Sequence, residues 1–225
     1  MAPEQTLGLA IKGKGITVMI RNFKALGIAV IAALAMSAVV ASAASADNFT
    51  AASYPAEGSG GQTTTHEFTV QGSAVKCAEA KFTGTLAAAN TYMTVSPEYK
   101  KCQAFGFLEA TVSMNGCTYK FDAGTGGTGS VEVVCPSGQT ITVVAATCTV
   151  HIPPQTPTTP TVNFKNEGED VLVTSAASGI HSNVTSGFLC PLSSNSTDTS
   201  GKYTGDVTFE GDEGADIHIG HHPGT

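Results

Sequence analysis

The sequence predicts an all-β protein, a single-domain antiparallel β-sandwich stapled by disulfides and preceded by a signal-peptide helix. Three observations carry this. Beyond residue 46, apolar residues alternate with polar ones, and no segment keeps a helical period for more than a turn or two. Turn signals such as Asn115-Gly116 and Pro136-Ser137-Gly138 break the alternation at short intervals. All six cysteines (77, 102, 117, 135, 148 and 190) fall in this same portion, the even count of a disulfide framework in an exported chain.

Residues 1–18 carry no export logic and read as an extension upstream of a true start at Met19. Residues 19–46 read as a signal peptide. Arg21 and Lys24 supply the basic start, Ala25 to Val40 a 16-residue apolar run, and Ala41-Ser42-Ala43 and Ala44-Ser45-Ala46 two cleavage sites. The run is short for a membrane span. Cleavage after Ala46 leaves 179 residues, enough for one domain with its own core. That portion holds seven lysines, no arginine and 17 acids, a formal charge of −10. Nucleic acids and anionic membranes are held mainly by Lys and Arg, so neither is a partner by charge. The expectation is a secreted chain with no nucleic-acid partner and no membrane contact after signal cleavage.

Taken in order, residues 47–64 are rich in Ala, Ser, Gly and Thr and read as an irregular lead-in with a turn at Tyr54-Pro55. Residues 65–210 make the sandwich domain, opening with strands at Thr65–Val70, Ala80–Leu86 and Tyr92–Val95. A meander from Leu108 to Cys135 organises the rest. Asn115 and Gly116 both accept the positive φ of a type I′ hairpin turn, which sets Val112 opposite Tyr119 and Ala110 opposite Phe121. Pairing across the glycine-rich loop Gly124–Gly129 sets Phe121 opposite Val131, Tyr119 opposite Val133, and Cys117 opposite Cys135. Both turns put the apolar residues on one face. Ile141 and Val143, then Cys148, Val150 and Ile152, continue the alternation, with threonines outward where a β-branch suits a strand.

The Pro/Thr-rich stretch 153–161 (PPQTPTTPT) is extended and stiff. Five cysteines precede it and one follows, so a bridge must cross it if all six pair within the chain. It is therefore a surface connection inside one domain. Strands near Val162–Phe164, Asp170–Thr174 and Tyr203–Phe209 follow, and residues 211–225 read as an acidic, His-rich flexible tail.

Facing positions on neighbouring strands lie within disulfide reach, which pairs Cys117 with Cys135. The remaining four cysteines admit three pairings. Cys77–Cys102 with Cys148–Cys190 needs the fewest long crossings.

Residues with metal or catalytic chemistry are few. His218, His221 and His222 lie close to Asp212, Glu213 and Asp216, a set that suits Zn, Ni or Cu; the plain alternative is a frayed terminus with incidental histidines. The glycine-rich loop has strands on both sides, whereas a phosphate loop needs a following helix. There is no C-x-x-C for zinc or redox work and no G-x-S-x-G for a nucleophile. Of the internal histidines His66, His151 and His181, the first two fall on outward phases of their strands. Without Trp, a glycan platform would use Tyr92, Tyr99, Phe105 or Phe107, although Phe105-Gly106-Phe107 also reads as a core turn.

Phe49-Thr50 with Tyr54-Pro55, His66 to Val70, and Cys77 with Phe82-Thr83-Gly84 form a recognisable series. Tyr99 with Cys102, Asn115 to Tyr119, and Val134-Cys135-Pro136 extend it. On these residues the chain resembles a group of small exported bacterial proteins, β-rich and disulfide-containing. The resemblance implies export and fold and carries over no catalytic residue. The functional expectation is a secreted, non-catalytic extracellular or cell-envelope protein with no cofactor and an extracellular or envelope partner. The alternatives are a glycan- or metal-binding module and a secreted hydrolase.

Overall fold

The computed structural model describes residues 46–194 and 196–220, and the expected extension and signal peptide lie outside them. Fourteen strands are formed among the described residues. In chain order these are β1 (Asn48–Thr50), β2 (Ala56–Gln62), β3 (His66–Val70), β4 (Ser73–Leu86) and β5 (Tyr92–Ala104). Next come β6 (Leu108–Ser113), β7 (Thr118–Ala123), β8 (Thr128–Val134), β9 (Ile141–Ala145) and β10 (Cys148–Ile152). The last are β11 (Thr159–Glu167), β12 (Asp170–Ser186), β13 (Ser196–Gly211) and β14 (His218–Gly220). A single 3₁₀ turn at Asp212–Gly214 is the only helical element among the described residues, and no described helix is long and apolar enough to cross a membrane.

Twelve strands form one continuous antiparallel sheet, and β1 pairs with β14 beside it. The large ladder returns on itself. One circuit of eight runs β5, β4, β2, β13, β12, β11, β8, β7 and back to β5. A second runs β5, β4, β3, β13, β12, β10, β9, β6 and back to β5. The long strands β4, β5, β12 and β13 belong to both circuits, while the shorter strands share the remaining positions end to end. Each strand of the large sheet therefore has neighbours on both sides, which removes the unpaired edges on which β-proteins aggregate.

Alternation explains which residues enter the core. Met93 and Val95 of β5, Ile141, Val143 and Ala145 of β9, and Val150 and Ile152 of β10 are all buried, and the residues between them, Thr94, Thr142, Val144, Thr149 and His151 among them, point away from the core. In β12, Val171, Val173 and Ala177 point inward until Gly179, with φ +72°, shifts the register; Ile180 and Val184 then resume.

The second joint of the meander has the expected register: Phe121 pairs with Val131 and Tyr119 with Val133. At the first joint the turn forms but the hairpin does not. Asn115 and Gly116 take φ of 51° and 78°, and the Cys117 N–H donates to the Met114 carbonyl at 2.8 Å. Yet Val112 pairs with Val143, and Ala110 with Cys102, rather than with Tyr119 and Phe121. The Asn115 amide donates to Thr140 O and Thr142 Oγ1, so the turn is pinned against the start of β9 instead of joining two paired strands. The long β5 accepts β6 and β7 in succession along one side. Local turn chemistry held, while the neighbours of β6 are β5 and β9.

Both ends of the domain differ from expectation. Residues 47–64 are not an irregular lead-in: they contain β1 and β2, and Phe49 is buried with its ring edge-on to Phe164 at 5.2 Å. Residues 211–220 are not a flexible tail. Ala215, Ile217 and Ile219 are buried, β14 pairs with β1, and Asn166 exchanges two hydrogen bonds with the backbone of Ile219. Alternating Ile217 and Ile219 within a glycine-rich context is a short strand signal that composition masked.

Candidate functional site

Three bridges join Cys77 to Cys102, Cys117 to Cys135 and Cys148 to Cys190, with no free cysteine among the described residues. Cys77 and Cys102 face each other directly across β4 and β5. Three disulfides fit an oxidising, extracellular-type environment.

The interior enclosed by the ladder contains a cavity of about 100 Å³, lined by residues from β3 around to β13. Its wall is apolar, with Phe82, Val95, Phe121, Val133, Val143 and Phe164 among its members, and no Lys, Arg, Asp or Glu side chain lines it among the described residues. Five lining residues are polar: His66, Tyr99, Tyr119, Ser175 and Tyr203.

Four of these form a chain. The Tyr203 hydroxyl lies 2.5 Å from His66 Nδ1 and 2.8 Å from the Tyr99 hydroxyl, and Tyr99 donates to Tyr119 at 3.2 Å. His66 Nε2 sits 3.2 Å from the main-chain carbonyl of Asp206. The rings pack as well as bond, His66 lying 5.4 Å from Phe82 and 5.7 Å from Tyr203. Burial is the largest influence on every member. It holds the His66 imidazole below its usual 6.5, against the opposing pull of the Asp206 carbonyl and charge. It pushes the Tyr119 phenol up to about 12, and Tyr99 and Tyr203 well above 10.

The backbone explains how His66 enters. Gln71 and Gly72 take φ of 46° and 76° in a two-residue turn, which pairs Val70 with Ser73 and carries the register down to His66 opposite Cys77. His66 is 2% exposed and so faces inward, on the same face as Phe68 and Val70 of its strand, and not outward as expected. Gly205 makes room for it, since a Cβ there would stand 2.5 Å from His66 Nδ1. A glycine inside a strand marks such a close approach, and Gly205 was the sequence signal for this site.

The other sequence candidates fall elsewhere. His218 lies in β14, opposite Thr50; His221 and His222 lie outside the described residues. No group of three or more His, Cys, Asp or Glu side chains is placed to hold a metal among the described residues. His151 is half-buried with Thr140 Oγ1 at 3.4 Å from its Nδ1, and His181 is exposed. As for the aromatics, Tyr99 is inside, Tyr92 has Lys120 Nζ 5.1 Å from its ring centre, and Phe107 is 76% exposed rather than in a core turn. Positive φ at Phe105 and Gly106 turns Phe107 outward while Phe105 packs on the core.

Fold and site together define a disulfide-stapled all-β protein with an apolar interior crossed by a tyrosine–histidine chain. No family model, curated protein or solved structure matches the chain.

Proposed function

We propose that this chain is a secreted, non-catalytic extracellular or cell-envelope protein that encloses a small, uncharged, largely apolar molecule. The observation that carries this is the interior cavity, apolar on nearly all its surface and met at one place by a convergent set of polar groups, the usual composition of a small-molecule site. Its size limits the guest to about one small ring, since a 150 Å³ cavity takes benzene. Export rests on the signal-like residues 19–46 and on the three bridges. The finer reading of the sheet as a sandwich, two facing layers sharing this core, is supported by lining residues such as Val95 and Val173 on well-separated members of the ladder.

The non-catalytic reading is supported by the partners of His66. Its two nitrogens engage a tyrosine hydroxyl and a main-chain carbonyl, which suits a structural imidazole rather than a base beside a nucleophile. The test is an NMR titration of the mature chain with cyclopentane, observing valine methyls. Shifts at Val95 and Val133, with Val134 on the surface unmoved, are the expected result. Silent interior methyls at saturating cyclopentane would refute the reading.

A further inference from the structure

The eight strands of the second circuit are joined in pairs at one end of the sheet. The connections are residues 71–72 between β3 and β4, 105–107 between β5 and β6, 146–147 between β9 and β10, and 187–195 between β12 and β13. The registers bring all four to the same end: Ala104 faces both Val75 and Leu108, Thr111 faces Val144, and Cys148 faces both Ala145 and Ser186. The three most exposed large apolar residues among those described all stand here, Phe188 at 93%, Leu189 at 80% and Phe107 at 76%. The backbone holds them out. Positive φ at Phe105 and Gly106 sends Phe105 to the core and Phe107 away from it. Phe188 and Leu189 bulge between two fixed points. Before them the Gly187 N–H donates to the Thr147 carbonyl at 2.8 Å; after them come the Cys148–Cys190 bridge and the buried Leu192. None of the four connections contains Lys, Arg, His, Asp or Glu.

We propose that this end of the protein docks on a lipid surface of zwitterionic headgroups, with Phe107, Phe188 and Leu189 entering it as apolar anchors. Area and charge select this occupant. Two phenylalanines and one leucine present about 500 Å² of apolar side chain. A stable protein–protein contact takes about 800 Å² from each partner, so the three anchors are too few to hold a second copy of the chain. A bilayer needs no shape complementary to theirs: apolar side chains enter the boundary between headgroups and acyl chains while polar groups stay at headgroup level. Residues 47–225 hold seven lysines against 17 acids, a balance that an anionic surface repels. The expectation of no membrane contact concerned attraction by charge, and this contact uses none. It is also separate from the interior cavity and stands whether or not the cavity takes a guest.

The experiment measures co-sedimentation of residues 47–225 with phosphatidylcholine vesicles, for the native protein and for Phe107→Ser, Phe188→Ser and Leu189→Ser, singly and together. The native protein should bind, each single change should weaken binding by about ten-fold, and the triple change should abolish it. Vesicles of equal parts phosphatidylcholine and phosphatidylglycerol should bind no more tightly than phosphatidylcholine alone. Absence of native binding to phosphatidylcholine overturns the proposal, as does binding that survives the triple change. Tighter binding to the anionic mixture overturns it too, because charge would then be the attraction. Sedimentation velocity without lipid tests the other occupant: a dimer that the triple change dissolves, in a protein that leaves vesicles unbound, assigns the surface to a second copy and overturns the lipid. Should the triple variant not fold, Phe188→Trp decides, since the chain has no other tryptophan. Phosphatidylcholine with brominated acyl chains must quench its fluorescence, and unquenched emission overturns the proposal.

Discussion

Removing residues 213–225 tests whether the C-terminal segment is part of the core. The deletion takes away Ala215, Ile217 and Ile219, all buried, and the strand that pairs with β1. The Ala52 N–H loses the Ala215 carbonyl, and Asn166 loses both bonds to the backbone of Ile219. Fully burying an isoleucine is worth about 1.5–3 kcal/mol, so the two together contribute about 3–6 kcal/mol before the hydrogen bonds are considered. For a chain of this size each kcal/mol moves the thermal midpoint by about 2–4 °C, giving an expected drop of about 6–24 °C. Circular dichroism melts of residues 47–225 and of residues 47–212 measure it. Ile217→Ala alone, at a position 1% exposed, should cost about 2–5 kcal/mol and separates core packing from chain length. A deletion that moves the midpoint by less than about 2 °C refutes the docked segment.

Three further outcomes follow from particular contacts. Gly205→Ala puts a methyl 2.5 Å from His66 Nδ1 and should cost about 1–3 kcal/mol in urea unfolding, with loss of the shifted His66 ring signals in NMR spectra. Because burial lowers the His66 pKa, its contribution to stability is complete above about pH 6.5 and falls as pH drops below that value; urea midpoints between pH 8 and 5 should decline there, and His66→Gln should flatten that part of the curve. Replacing Cys117 and Cys135 together by alanine opens a loop of 18 residues' separation and should cost about 3 kcal/mol, while non-reducing peptide maps of the native protein should show these two joined.

Period-two alternation in the sequence reports the face a residue occupies, and for most of the sheet it reported it well. Val131, Val133, Ile141, Val143, Val150 and Ile152 are all inside. It does not report which strand lies alongside. Asn115-Gly116 made its turn, but β6 pairs with β5, across the tight turn that joins Ala104 to Leu108, and with β9, whose Val143 lies 143 − 112 = 31 positions from Val112. The long strands were legible only in part because serine and glycine interrupt both β12 and β13, residues whose composition suggests loops and whose pairing comes from the ladder on both sides.

The case of His66 shows how the remaining information is distributed. Within the strand HEFTV, His66 shares the parity of Phe68 and Val70, with Glu67 and Thr69 between them, and the two ends are both buried. The phase is set by the two-residue Gln71-Gly72 turn, which counts back to place His66 against Cys77. Cys77 in turn is held opposite Cys102 by a disulfide, so the inward face of β4 is fixed covalently at the position His66 reads. Gln71 is a weaker turn signal than asparagine, which concealed the count. The site is thus assembled from a turn, a bridge and a glycine that each look structural. Its chemistry comes from three tyrosines on β5, β7 and β13 that only the closed ladder brings within hydrogen-bonding distance of one another.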